Sequence, residues 1–365
     1  MKKIGIITFY KNNNYGANIQ AMALNRYLND LGHKALEINY FYKGHENLTY
    51  NYRNMFKNIL KKTPKSKLLK EIIVFLLYHK KNYPYIEAFE NFRKKYIPET
   101  QSCKNAESIN KEKFDTVIIG SDQVWNTDIT KGLDKVYFGH GLNAKKIITY
   151  GVSIGEDRFY PQYEEKIKKY TASLSAVSVR EINSQKYLRE FLKRDVSLVP
   201  DPVFLFGKEF YEKLSDKSKI NIKDRYILIY KMSDFPFVYE MAEYLREKTG
   251  FRLVEVSVKK AKRKGVGLIN NAGPGDFVNL IKNAEYVVTN SFHGTALSMI
   301  LEKEFYVSAS KRPGRIDTLL QLGGISHRKI SDTNDINLNP VDYNSVKNSM
   351  APMIEKSKEF LKNNI

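Results

Sequence analysis

From Ala284 to Leu301 the chain reads A-E-Y-V-V-T-N-S-F-H-G-T-A-L-S-M-I-L, and few architectures accept such a stretch. Tyr286, Val287 and Val288 have the character of a buried strand end. Thr289, Asn290 and Ser291 are small and polar. From Thr295 the apolar residues Ala296, Leu297, Met299, Ile300 and Leu301 recur at helical spacing. Strand, short polar loop and helix form the repeating unit of open α/β sheets, and ligands bind where such loops leave the sheet. His293 and Gly294 fall beside the expected helix N-terminus, which attracts anions through free N–H groups and the helix dipole. A buried structural histidine bonded to a carbonyl is the plainer alternative, and the local sequence leaves it open.

The same unit recurs along the chain. Lys3–Phe9 reads as a strand, Lys11–Gly16 as an asparagine-rich loop, Ala17–Leu31 as a helix stopped by Gly32, and Ala35–Tyr40 as a second strand. This βαβ pattern predicts a parallel sheet with right-handed crossovers. Further strands are expected at 114–119, 147–152, 176–179 and 198–202. Each is followed by polar residues: Ser121, Asp122, Gln123 and Trp125; Ser153; Arg180; Asp201. Asp122 and Gln123 could orient sugar hydroxyls. Trp125 could stack on a sugar ring or plug a core. The loop at Asn14, Tyr15 and Gly16 is open to two readings, binding element or bare turn.

A second series of strands and helices begins near Arg225. The reading is therefore α/β, with two Rossmann-like parallel-sheet domains facing across a cleft, a GT-B-like arrangement. The expected division is 1–205, 206–345 and a C-terminal helix 346–365 that packs back on the first domain. No G-x-G-x-x-G follows the first strand, so a dinucleotide site of the dehydrogenase type lacks support.

Charge narrows the partners. The 365 residues hold 60 Lys and Arg against 40 Asp and Glu, a net +20, which favours an anionic substrate or surface. No zinc spacing, helix-turn-helix pattern or basic–aromatic signature accompanies it, so nucleic acid is not expected. The single cysteine, Cys103, fits a reducing cytoplasm. The N-terminus enters a strand pattern at once and does not resemble a signal peptide. The longest apolar run, Ile72–Tyr78, is far below the roughly 20 residues of a membrane span.

Residues 50–95 stand apart, with twelve basic residues (Arg53, Lys57, Lys61, Lys62, Lys65, Lys67, Lys70, Lys80, Lys81, Arg93, Lys94, Lys95) against Glu71, Glu87 and Glu90. An apolar helical run lies among them. Two readings stand: a helix packed on the sheet among solvated lysines, favoured by the compact apolar set, or a peripheral contact with an anionic membrane.

Several segments together resemble the polysaccharide pyruvyl transferase family. They are Asn14–Ala21 with Gln20 inside it, G-S-D-Q-V-W-N at 120–126, Ser153-Ile154-Gly155, Ser178-Val179-Arg180-Glu181, Asp201-Pro202-Val203 and S-F-H-G-T at 291–295. The resemblance runs in family order over about 4–330. It implies a GT-B-like fold, no metal or separate cofactor, and transfer of enolpyruvyl from phosphoenolpyruvate to two hydroxyls of a sugar. The acceptor would be a cell-surface glycan or its lipid-linked precursor, handled at the inner membrane face. The resemblance further implies His293 as general acid and Arg180 and Arg315 as donor-binding groups from the two halves. Ser291, Gly294 and Thr295 would flank the donor. Asn14, Tyr15, Gly16, Gln20, Ser121, Asp122, Gln123, Trp125 and Ser153 would face the acceptor.

The chemistry agrees in kind: phosphate and carboxylate suit arginine forks, and histidine suits proton transfer near neutrality. One departure is Ser291, where many members carry arginine; Arg312, Arg315 or Arg328 would then supply the charge. Two readings of other kinds remain, a sugar-nucleotide glycosyltransferase and a non-catalytic glycan-binding protein.

Overall fold

The structure is a computed structural model that describes residues 1–40, 60, 64–232, 235–257, 263–308 and 314–365. Arg312, residues 41–49 and, within the basic insert, residues 50–59 and 61–63 lie outside them.

The first sheet comprises β1 (Lys3–Ile7), β2 (Lys34–Glu37), β3 (Thr116–Gly120) and β4 (Lys146–Tyr150), in the order β2-β1-β3-β4 and all parallel. Two short strands, β5 (Ser178–Val179) and β6 (Ser197–Leu198), continue it through isolated bridges from Ile148 to Ala176 and Val152 to Val179. The second sheet holds β7 (Tyr226–Tyr230), β8 (Arg252–Val256), β9 (Val266–Ile269), β10 (Tyr286–Thr289), β11 (Glu304–Ser308) and β12 (Lys329–Ile330). Its order is β12-β11-β10-β7-β8-β9, again parallel. The central strands are buried along their length, β3 and β7 completely, which is why they read as unbroken apolar runs.

Each order reverses once, between β1 and β3 in the first sheet and between β7 and β10 in the second. Such switch points open a crevice at the carboxyl ends of the strands. The loops leaving β1 and β3 carry Asn14–Gly16 and Ser121–Asp122. The loop leaving β10 carries Ser291–His293.

The halves are welded beside this crevice. Tyr15, at the start of the helix Tyr15–Asp30, stacks on Phe277 of the second half at 4.6 Å and meets Phe89 at 5.1 Å. Phe89 belongs to the helix Lys65–Tyr96, whose later part buries Ile86, Phe89 and Phe92. Its earlier part is unlike this: Leu69, Ile73 and Leu76 are exposed. The last helix, Tyr343–Asn364, starts against the second half through Val346 and Met350. It ends on the first sheet, where Phe360, Leu361 and Ile365 join Ile4, Ile6 and Ile148.

Candidate functional site

The turn after β10 is built from its own side chains. The Thr289 hydroxyl donates to the Tyr230 carbonyl (2.6 Å) and accepts the Ser291 N–H (3.0 Å). Ser291 caps the helix Phe292–Ile300, its Oγ accepting from the Gly294 N–H, and Thr295 Oγ1 donates back to the Ser291 carbonyl at 2.9 Å. A Cβ on Gly294 would stand 2.6 Å from Thr289 Oγ1, so only glycine allows the turn to close. Ser291, Gly294 and Thr295 are thus committed to holding the turn. The hydroxyls of Ser291 and Thr295 and the Gly294 N–H are spent within the turn, whereas the resemblance places these residues beside a donor.

The turn delivers His293 to the first half. The imidazole lies directly on Gly16: a Cβ there would be 2.1 Å from Cγ and Nδ1. Nε2 faces Asp201 Oδ2 at 3.6 Å, too long for a hydrogen bond and within ion-pair range once the ring is protonated. Asp201 follows β6 and caps the one-turn helix Pro202–Leu205, its Oδ1 accepting the Val203 N–H at 3.2 Å. Its Oδ2 accepts from Ser121 Oγ at 2.9 Å and from Nη1 of Arg180.

Arg180, which follows β5, is the hub. Its guanidinium also reaches Ser121 Oγ (3.2 Å) and Asp122 Oδ1 (3.4 Å), while Nε lies 3.7 Å from Glu181 Oε1. The Phe292 ring covers its face at 4.7 Å. Adjacent residues of the second half, Phe292 and His293, therefore grip both members of a buried ion pair of the first.

Burial works against the charge of each member of this cluster. For Arg180 it would lower the pKa, and Asp201, Glu181 and Asp122 together more than reverse it. For Asp201 burial would raise the pKa, yet Arg180 and His293 hold it well below the usual carboxylate range. For Glu181 burial wins over Arg180, Ser153 and Arg315, and its pKa is raised.

Other expected residues have different fates. Asp122 sits in the left-handed region (φ 65°), a conformation that costs free energy and collects at functional loops. Asn14 caps the helix Tyr15–Asp30 and points its amide toward Met232 of the second half. Gln123, half-buried, accepts from the Asn126 amide, and Ser153 Oγ accepts from the Gly155 N–H. Arg315 is half-buried near Glu181.

Five expectations are corrected. Trp125 is 1% exposed, stacks on Phe138 at 5.2 Å and donates its indole N–H to the Tyr137 carbonyl; it is a core plug and no sugar platform. Tyr15 is sealed between Phe89 and Phe277. Gln20 is fully buried and donates to Thr8 Oγ1 and the Ala17 carbonyl. Arg328 is buried against Glu304 and the Asn339 carbonyl; Glu304 begins β11, so this is the sheet edge opposite His293. Arg180, finally, has its guanidinium sealed from solvent and aimed at carboxylates, so it offers no open fork to a donor phosphate.

Asp201, Glu181 and Phe292 are site residues that stand in segments the sequence marked, but to which it assigned no role. The available signal was positional, since Asp201 and Glu181 each follow a short strand at the edge that carries the other polar loops. Among the described residues no group of three His, Cys, Asp or Glu side chains forms a metal site.

A model of the family described as polysaccharide pyruvyl transferase matches residues 14–312. A sequence search of curated proteins finds no match. Among solved structures, that of S. aureus MnaA with UDP aligns with a TM-score of 0.50 at 12% identity, over 98% of this chain and 90% of that one. UDP-GlcNAc 2-epimerase from Methanocaldococcus jannaschii aligns at 0.48 and 13% identity, over 97% and 93%. E. coli ADP-heptose lps heptosyltransferase II aligns at 0.37 and 10%, over 98% and 100%. At 12% identity the likeness to MnaA concerns the fold alone, which with its two parallel-sheet halves is of the GT-B type.

Proposed function

This chain belongs to the polysaccharide pyruvyl transferase family, and from that premise we propose that it moves an enolpyruvyl unit from phosphoenolpyruvate onto two hydroxyls of a glycan sugar, leaving a pyruvate ketal. The observation that carries the reading is the approach of His293 to Asp201 at 3.6 Å across the two halves. A titratable group of the second half, in the loop that leaves β10, here meets a fixed carboxylate of the first.

In this reading His293 protonates the methylene carbon of the donor. The carbon bearing the phosphate then takes the first sugar hydroxyl, the phosphate leaves with the electron pair of its C–O bond, and the second hydroxyl closes the ring. Atoms balance without an oxidant or reductant: two hydroxyl protons are released, one replaces the proton given to the methyl group and one leaves with phosphate. Asp122 has a side chain 16% exposed, against 0% for Asp201 and 6% for Glu181, and is the carboxylate of the cluster suited to receive a hydroxyl proton. With Arg180 sealed, Arg315 and Arg312 are the arginines assigned to the donor's anionic groups.

The acceptor is assigned to a lipid-linked glycan precursor at a membrane face. Among the described residues no helix is long and apolar enough to cross a membrane. Peripheral contact is supported by Leu69, Ile73 and Leu76, which line one exposed side of a helix at spacings of four and three beside exposed Lys67 and Lys70.

The test is incubation of the protein with phosphoenolpyruvate and a panel of saccharides, followed by mass spectrometry for an acid-labile ketal and assay of released phosphate. Matched ketal and phosphate, absent in His293→Gln, are expected. A product formed from a sugar nucleotide instead would overturn the reading.

A further inference from the structure

The two ring nitrogens of His293 lie in unlike surroundings. Nε2 is buried with no hydrogen-bond partner and points at Asp201. Nδ1 lies on the side of Gly16, where a side chain as small as a methyl would collide with it; it is not among the buried polar atoms that lack a hydrogen-bond partner. We propose that Asp201 is a positioning residue that holds the Nε2–H of His293, so that Nδ1 is the nitrogen that hands its proton to the donor.

Asp201 is suited to this because it is fixed and ionised. Both its oxygens are occupied, Oδ1 by the Val203 N–H and Oδ2 by Ser121 and Arg180. A carboxylate can only accept hydrogen bonds, so a nitrogen that faces it must carry the proton. Holding the tautomer through one nitrogen frees the other for chemistry, the logic by which a buried aspartate serves a catalytic imidazole. Few other groups bear on the ring. The Phe292 ring beside it, at 5.2 Å, is uncharged. Gly16, on the helix that packs against it, brings no titratable side chain. The remaining charges, Asp122 and Glu181, are tied through Arg180 to Asp201. The gap of 3.6 Å closes to a hydrogen bond when the site is occupied, as catalytic contacts commonly do.

The step rests on the pyruvyl-transfer reading and balances. The donor's C=C electron pair takes the Nδ1 proton, an N–H bond breaks and a methyl C–H bond forms. The imidazolium becomes the neutral Nε2–H tautomer, and a proton released by the attacking hydroxyl restores it. Gly16 gains a reason in the same scheme, since any larger residue would cover the nitrogen that must meet substrate.

The test uses substrate-free protein, so its failure is distinct from a failure to turn over phosphoenolpyruvate. With nitrogen-15 label in the six histidines, and His293→Gln for assignment, NMR titration should show neutral His293 as the Nε2–H tautomer. A neutral Nδ1–H tautomer would overturn the proposal. In Asp201→Asn the preference of neutral His293 for the Nε2–H tautomer should be lost. Its kcat should fall about a hundredfold, with KM for phosphoenolpyruvate changing less than about threefold. An Nε2–H tautomer kept unchanged in Asp201→Asn would overturn the proposal as surely. If Asp201→Asn fails to fold because Arg180 loses its partner, the wild-type tautomer decides alone.

Discussion

Two carboxylates of the first half are buried alike and behave in opposite ways. Glu37 closes β2 at 0% exposure, and Asp201 follows β6 at 1%. Neither oxygen of Glu37 has a hydrogen-bond partner. The charge nearest it is another carboxylate, Glu99, which already accepts from the Tyr10 hydroxyl and pairs with Lys11. Burial, then Glu99, push the Glu37 pKa well up. Asp201 meets the same burial, yet Arg180 and His293 hold it well down. Burial by itself therefore favours the protonated acid. At Asp201 a cation from another strand end and a histidine from the other half reverse that tendency.

The strongest way to break this contrast is to remove the cation. Arg180→Ala leaves Asp201, Glu181 and Asp122 around an empty hub and should cost about 3–5 kcal/mol of stability, read by denaturant unfolding. Arg180→Lys should recover part of it, because one ammonium cannot reach the same partners as a planar fork. Stability within about 0.5 kcal/mol of wild type in the alanine variant, the usual range for surface changes, would show that the cluster is not what holds Asp201 ionised.

His293→Gln comes next. The ring's packing is largely kept, so the protein should stay folded while turnover drops by about a hundredfold or more. Turnover within threefold of wild type, by the same order-of-magnitude scale, would remove His293 from the chemistry.

Arg315→Ala should weaken phosphoenolpyruvate binding by roughly tenfold or more, the scale of a lost charged hydrogen bond. Arg328→Met should leave donor affinity unaltered, since Arg328 lies at the opposite sheet edge. Calorimetry on both variants checks the difference.

Glu37 gives the smaller and pH-dependent effect. Its folded-state pKa is raised, so its contribution to stability is full below the unfolded carboxyl pKa and is lost as pH rises through the folded value. Glu37→Gln should therefore raise Tm by a few degrees in mildly alkaline buffer and by little in acid. For Asp201, held low, the sign reverses, and stability is lost as pH falls through its folded pKa. Equal shifts for Glu37→Gln at both ends of the range would remove the contrast between the two carboxylates.

The smallest effect concerns the exposed half of the helix Lys65–Tyr96. Replacing Leu69, Ile73 and Leu76 together by serine should reduce sedimentation with anionic liposomes at low salt and leave turnover of a water-soluble acceptor unchanged. Sedimentation equal to wild type would detach the membrane contact from this face.

The sequence let the two parallel sheets, the loop at 289–295 and the location of His293 at a helix start be read, because long apolar strands and helical spacing are local signals. The pairing of Asp201 was not legible. Strands were expected where β5 and β6 lie, but their partners were not, and Ser121 meets Asp201 across 80 positions of chain. Arg180 read as a ligand arginine because the family resemblance implies one there; the ring over its guanidinium is that of Phe292, 112 positions away, which the meeting of the halves brings over it. Trp125 misled for a related reason. Its loop lies at the ligand edge, but the stacking partner Phe138 comes from a one-turn helix further on that carries no strong sequence signal.

The claim at the centre is that the donor meets His293 where the two halves join. It is tested most directly by following the nitrogen-15 imidazole signals of His293 while phosphoenolpyruvate is added, with a nucleotide sugar as contrast. The account predicts a saturable shift of His293 with phosphoenolpyruvate, lost in Arg315→Ala, and none with the nucleotide sugar. Signals that ignore phosphoenolpyruvate at saturating concentration, or that move only with the nucleotide sugar, would contradict it.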